Sequence, residues 1–135
     1  MSGNLQRQQS QIYPVFRYNN APNALGWLAK AFGFKTFLEV PGPSGSVAHA
    51  EMALEQAVIM LGSTGNDPSN PWTAVKQGVY VYVDDVDAHY AQARATGATI
   101  VKELQDTPHG SREYSVQDLE GFLWGFGNFR PDPTH

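Results

Sequence analysis

Hydrophobic and polar positions fall into the same order twice along this 135-residue chain. A strand-like run, "IYPVFRY" (Ile12–Tyr18), leads into "APNALGWLAKAFGF", where Ala21, Ala24, Leu25, Leu28 and Phe32 recur at helical spacing and Gly33 marks the stop. Further on, "QGVYVYV" (Gln77–Val83) leads into "DVDAHYAQARATGA". There Asp84 or Asp85 can cap a helix carrying Val86, Tyr90, Ala93 and Gly97. Each helix is followed by two or three further apolar runs. The pattern predicts an α+β fold of two tandem βαβββ modules.

The two halves also share letters. At a shift of 65 residues Gly45 falls on Gly110, Ser46 on Ser111, Leu54 on Leu119, Glu55 on Glu120 and Gly62 on Gly127. A repeat of this length is the mark of a duplicated supersecondary unit. One domain over residues 1–135 is expected, with module one at about 11–63 and module two at about 77–130. The span 64–76, rich in Asn, Pro, Ser and Gly, reads as a linker. Residues 1–10 and 131–135 read as flexible tails, His135 in the second of them, and His109 stands in a turn. A lone module would leave its sheet one-sided. The two are therefore expected to form a curved mixed sheet around a cleft, or to pair with a second chain.

Period-two alternation divides each strand into a core side and a cleft side. Val79, Val81 and Val83 suit the core, which turns Gly78, Tyr80 and Tyr82 outward. Phe122, Trp124 and Phe126 form the heavy face of the last strand, opposite Gly121, Leu123, Gly125 and Gly127. By the repeat, Ala57, Ile59 and Leu61 face the core, and Val58, Met60 and Gly62 the cleft. Tyr13, Val15 and Arg17 then share the cleft side. In "HAEM", His49 and Glu51 point the same way as Met60. Carried into the later strand, the pairing turns Arg112, Tyr114 and Val116 to the cleft and Glu113, Ser115 and Gln117 to the helix.

Composition narrows the partners. Net charge is −4 and the 9 Lys and Arg are scattered, so no basic patch points to nucleic acid. The longest apolar run, Ala57–Leu61, is too short to cross a bilayer, and the polar opening "MSGNLQRQQSQ" lacks a signal-peptide core. There is no Cys, hence no disulfide and no thiolate site. A cytoplasmic protein is expected, with no membrane partner.

The segments "VDDVDAHYAQARATGATIV", "HGSREYSVQDLEGFLWGFGNFRP" and "AFGF" resemble the vicinal oxygen chelate superfamily, which includes glyoxalase I, bleomycin-resistance proteins and extradiol dioxygenases. The Asp-x-x-Gly turn (Asp118 to Gly121) before an aromatic strand is its most specific sign, although Leu119 stands where Pro is common. The resemblance covers about Ile12 to Pro131. It implies paired βαβββ modules, a homodimer, and in the enzymes four His, Gln or Glu side chains on strands around a divalent metal. Here those four places correspond to Tyr13, Met60, Gly78 and Gly125. Glycine supplies no side-chain ligand and Met suits a hard cation poorly. The resemblance therefore implies the bleomycin-resistance-like branch, with no metal and no cofactor.

The expected activity is metal-independent binding of a small, partly aromatic molecule. Its site would draw on Tyr13, Val15, Arg17, His49, Met60, Trp72, Tyr80, Tyr82, Arg112, Tyr114 and Gly125. Aromatic faces and adaptable Met suit such a ligand, and Arg17 or Arg112 can take an anionic group. Against that, Arg17 can equally be paired with Glu51 or Glu113. An alternative is a superfamily enzyme (lyase, isomerase or dioxygenase) with a rearranged divalent-metal or metal-free site, for which His49 and Glu51 are the catalytic candidates. His49 and Glu51 can also be a plain hydrogen-bonded pair. A small dimeric regulatory module is the third class.

Overall fold

Local capping signals set the helices. In the computed structural model, which describes residues 10, 12–65, 69–108 and 110–131, α1 spans Ala21–Phe32 and α3 spans Val86–Thr96. Asn20 Oδ1 accepts from the Asn23 amide at 3.1 Å, and Asp85 Oδ1 from the Ala88 amide at 3.0 Å. Each carboxamide or carboxylate thus satisfies a first-turn donor. Gly33 (φ +87°) and Gly97 (φ +92°) end the two helices in the left-handed region that suits glycine. The expected tails fall outside the described residues apart from Ser10 and Pro131, as do His109 and His135.

The strands form two four-stranded mixed sheets. In chain order they are β1 (Val15–Tyr18), β2 (Lys35–Pro41), β3 (Val47–Leu54), β4 (Ala57–Ser63), β5 (Gly78–Tyr82), β6 (Thr99–Asp106), β7 (Arg112–Gln117) and β8 (Leu123–Gly127). The first sheet has the order β1-β4-β3-β2 and the second the order β5-β8-β7-β6. In each, the strand before the helix runs parallel to the last strand and the remaining pairs are antiparallel. The duplicated βαβββ expectation holds. The described residues divide into two compact units, one holding β1–β4 and the other β5–β8 together with the last turn of α1.

The first sheet buries Phe16, Tyr18, Ala50, Met52, Ile59 and Leu61 on one face. The second unit has an aromatic core. Phe32, from the last turn of α1, meets Phe126 at 4.9 Å and Trp124 at 5.2 Å between ring centroids. Buried His89 lies 4.1 Å from Phe126. Such aromatic pairs add about 0.5–1.5 kcal/mol each beyond area burial.

The letters that repeat at 65 conceal a one-residue slip. The caps Asn20 and Asp85 match at 65, but α1 has 12 residues and α3 has 11, so Gly33 and Gly97 match at 64. The β3–β4 turn leaves two residues unpaired between Leu54 and Ala57, Glu55 and Gln56. At the equivalent place in the β7–β8 turn the Asp118 amide donates to the Phe122 carbonyl at 2.9 Å, which leaves three between them, Leu119, Glu120 and Gly121. Consequently β7 corresponds to β3 at 64, while β8 corresponds to β4 at 65. A one-residue slip turns every side chain to the other face. Tyr114 and Val116 are therefore buried on the helix side, and Glu113 and Ser115 face Gly127 and Gly125 across the opposite side. The cleft-side expectation for Arg112, Tyr114 and Val116 is corrected by this slip.

Candidate functional site

A pocket of about 340 Å³ opens on the first sheet, lined by Val15, Arg17, His49, Met60, Leu61 and Trp72. All six residues belong to the first unit. Strand register explains the gathering. Val15 on β1 pairs with Met60 on β4, Arg17 with Gly62, and Glu51 on β3 with Met60. Alternation then carries Val15, Arg17, His49, Glu51, Met60 and Gly62 on the face opposite the buried core.

Trp72 arrives from the later part of the expected linker. Residues Pro71–Ala74 form a single helical turn, α2, capped by Asn70, whose Oδ1 accepts from the Trp72 amide at 3.0 Å. Pro71 at the first helical position presets the backbone angle. The turn packs beside β1 and leaves Trp72 58% exposed at the pocket.

The polar groups of the site are Arg17 and the His49–Glu51 pair. His49 Nε2 lies 2.8 Å from Glu51 Oε2. The carboxylate can only accept, so Nε2 carries the hydrogen and Nδ1 is the acceptor of the neutral ring. Arg17 makes no ion pair or hydrogen bond among the described residues; the expected pairing to Glu51 is replaced by the His49–Glu51 contact. Its guanidinium lies over Gly62. A Cβ there would stand 2.4 Å from Arg17 Nη1 and 2.9 Å from the Ala48 carbonyl oxygen. Glycine at this position is what lets the arginine lie along the sheet.

Of the residues expected in the site, Val15, Arg17, His49, Met60 and Trp72 meet at this pocket, and Leu61 was missed. The expectation placed Leu61 in the core by alternation, where it is indeed 1% exposed, yet it also closes the pocket. Tyr13 precedes β1 and its hydroxyl donates to the Ser10 carbonyl at 2.5 Å. Tyr80, Tyr82 and Gly125 lie on the corresponding face of the second sheet and are not among the residues that line the pocket. Tyr80 hydroxyl donates to the Phe129 carbonyl (2.7 Å) and accepts from the Phe129 amide (2.8 Å). Burial pushes the Tyr80 phenol up, outweighing the opposing pull of the Phe129 backbone, so it stays neutral. Tyr82 hydroxyl donates to Asp84 at 2.6 Å and its ring carries the Arg130 guanidinium at 3.8 Å.

Arg112 and Tyr114 are the two corrections. Arg112 turns to the helix side, its Nε donating to Asp87 at 2.7 Å and its Nη1 to Asp106 at 2.9 Å. Tyr114 is 1% exposed, its hydroxyl 2.7 Å from His89 Nδ1. His89 Nε2 lies 2.8 Å from the Phe32 carbonyl, which can only accept. The ring is thus the Nε2–H tautomer, and Nδ1 takes the Tyr114 hydrogen. Burial pulls the His89 imidazole down, against the weaker upward pull of the Phe32 carbonyl. Burial alone pushes the Tyr114 phenol well above its ordinary range.

The donor set does not fit the metal that enzymes of the resembled superfamily carry. Gly78 and Gly125 bring no side-chain donor, Met60 is a soft thioether, and the Tyr13 hydroxyl is engaged with Ser10. No group of three or more His, Cys, Asp or Glu side chains placed to hold a metal ion gathers among the described residues. The Asp-x-x-Gly turn has a structural job as well. Asp118 is buried and accepts from the amides of Glu120 (2.9 Å) and Phe122 (3.0 Å) and from Trp124 Nε1 (3.0 Å), with Gly121 at φ +92° closing the turn.

Residues 11–126 match the model of the Glyoxalase/Bleomycin resistance protein/Dioxygenase superfamily. The chain belongs to this superfamily. An uncharacterized protein of Mycobacterium bovis is 30% identical over 123 residues, covering 86% of this chain and 81% of that one. Among solved structures, TioX from Micromonospora sp. ML1 is 34% identical with a TM-score of 0.76, over 91% of this chain and 98% of its own. TnmS3, described as an antibiotic binding protein from Streptomyces sp. CB03234, shares the fold at 21% identity and a TM-score of 0.66, over 90% of this chain and 98% of that one. Among the described residues no helix is long and apolar enough to cross a membrane.

Proposed function

We propose that this member of the superfamily binds and sequesters a small, partly aromatic molecule without a metal ion, in the pocket of the first sheet. The observation that carries the reading is the pocket's own chemistry: Trp72, Met60 and Val15 supply apolar wall, while Arg17 and His49 supply polar contacts. Apolar lining with a few placed polar groups is the usual make-up of a small-molecule site. An exposed Trp is a large, stiff contact surface, and Met adapts to irregular shapes. Use of the same fold by an antibiotic-binding protein supports the reading.

The protein is further proposed to act in the cytoplasm as a homodimer. Edge strand β2 is exposed along its length and shows Phe37, Leu38 and Val40 at 57%, 41% and 42% exposure, an apolar edge that a second copy would cover. A monomer mass at micromolar concentration in size-exclusion light scattering would count against the dimer.

The binding reading is tested by native mass spectrometry of protein purified without chelator or affinity metal. The expected spectrum holds no stoichiometric metal and shows a small organic adduct, or gains one on addition of aromatic compounds. One divalent ion per chain overturns it and moves the assignment to the second reading, an enzyme centred on His49. The specific observation behind that second reading is the 2.8 Å His49–Glu51 contact, in which a carboxylate orients an imidazole as it would a general base. Turnover abolished by His49→Ala with the fold retained would establish it.

A further inference from the structure

We propose that the pocket of the first sheet selects planar aromatic carboxylates, and that Arg17 is the residue that reads the charge; this rests on the binding reading above. Three features of the same few residues converge on it. The first is an unspent cation. Arg17 is half-buried, yet makes no ion pair or hydrogen bond among the described residues, so the N–H donors of its guanidinium are open to a ligand. The carboxylate on its own face, Glu51, is taken by His49 at 2.8 Å. A guanidinium drawn partly out of water without a partner is an unfavourable arrangement that an anion relieves, and a carboxylate matches its fork with two parallel hydrogen bonds.

The second feature is the seat built for it. Gly62 is the residue beneath the guanidinium, and a Cβ there would stand 2.4 Å from Arg17 Nη1, so a side chain at this place would force the guanidinium to move. The corresponding glycine of the second sheet, Gly127, has different neighbours, the Glu113 side chain and the Tyr80 hydroxyl, to which a Cβ would stand at 2.7 and 2.9 Å. The repeat supplies a gap at both places, and only the first is filled by a cation. The third feature is shape. A volume of about 340 Å³ lies near the lower end of the range of about 300–1,000 Å³ for small-molecule sites, which suits one or two fused rings. Trp72 offers an indole face to a flat ring, while Val15 and Met60 supply apolar wall. An aliphatic acid would leave the Trp72 face unused, and a neutral aromatic would leave Arg17 unpaired.

The test compares 2-naphthoate with its neutral isostere 2-naphthamide by isothermal titration calorimetry. The two share ring and size and differ in charge. Charge-assisted hydrogen bonds being about twice as strong as neutral ones, the acid is expected to bind at least about tenfold more tightly. In Arg17→Met, which keeps the aliphatic stem, that preference falls to within about twofold. Arg17→Lys keeps the charge without the fork and is expected in between. Thermal melting of both variants within a few degrees of wild type shows that the fold survives; if Arg17→Met fails this, Arg17→Lys carries the comparison. Equal binding of acid and amide overturns the carboxylate inference and leaves the binding reading standing. A preference that persists in Arg17→Met overturns the role of Arg17. Binding of neither compound up to millimolar concentration overturns this inference, while the native mass spectrum separately decides the binding reading.

Discussion

The same sheet face does two different jobs in the two units. On the first sheet it carries Val15, Arg17, His49 and Met60, and its cation is left open beside a pocket. On the second it carries Tyr80, Tyr82, Ser115 and Gly125, and its two tyrosine hydroxyls are hydrogen-bonded within the unit itself. Tyr80 is tied to both Phe129 backbone groups, and Arg130 lies over Tyr82. Duplication supplied one scaffold and one backbone gap, at Gly62 and Gly127. What entered the gap decided whether that face became a candidate binding surface or a fastening for the chain's last described residues. The lesson is that equivalence of position does not carry equivalence of role once side chains differ.

The sharpest way to break the comparison is at the hairpin turns, where the halves also diverge. Asp118→Ala strips the acceptor from two amides and the Trp124 indole, all held at 2.9–3.0 Å. The expected loss is about 3–5 kcal/mol in urea unfolding, since buried donors are left unsatisfied. In the first hairpin the corresponding change is small and of opposite sign. Glu55 sits at φ +54°, a region costly for a side chain, so Glu55→Gly is expected to be neutral or to stabilise by up to about 1 kcal/mol. A loss below about 1 kcal/mol for Asp118→Ala would mean that the second turn is not built around its carboxylate.

Acid should weaken the second unit first. His89 is held neutral in the fold, its imidazole pulled down by burial, whereas the unfolded chain takes up a proton near the ordinary value of about 6.5. Below that pH the unfolded state binds more protons than the native one, so stability falls as pH falls and is fully present above about pH 7. The slope approaches about 1.4 kcal/mol per pH unit between the unfolded and the lowered folded value. Thermal melting between pH 7.5 and 5.5 should therefore show a falling midpoint before most carboxylates titrate. A flat profile would show that His89 accepts a proton without cost.

Smaller effects separate the two faces most directly. Trp72→Phe on the first face should leave the melting midpoint nearly unchanged and weaken 2-naphthoate severalfold, because Trp72 is exposed and its indole is the larger contact. Tyr80→Phe on the second should do the reverse. It loses the Phe129 clasp and about 0.5–1 kcal/mol of stability, with ligand affinity unaltered within twofold. If Tyr80→Phe impaired binding as much as Trp72→Phe, the division of labour between the faces would be wrong.

Legibility in the sequence followed the range of the interaction. The helix cap Asp85, the stop Gly33, and the alternation that puts Val15, Arg17, His49 and Met60 on one face are set by residues close together in the chain. They could be read. Arg112 and Tyr114 could not, because the letters Leu-Glu and Gly align at 65 through a turn that holds one residue more than its counterpart. A sheet's two faces differ by one residue of register, so that single insertion reversed them. The buried Tyr114 was also an available signal, since the expected alternative sent Glu113, Ser115 and Gln117 into the core.

The sequence by itself determined two βαβββ units, their helices and most core positions. These follow from hydrophobic period, capping and residue type, which act locally and need no partner in space. Only the tertiary structure decided that Trp72 reaches the pocket, that Glu51 takes His49 rather than Arg17, and that Phe129 claims Tyr80. Each of these is a choice among competing partners far apart in the chain or alike in charge. Distance in three dimensions settles such choices, and no pattern of letters encodes it one residue at a time.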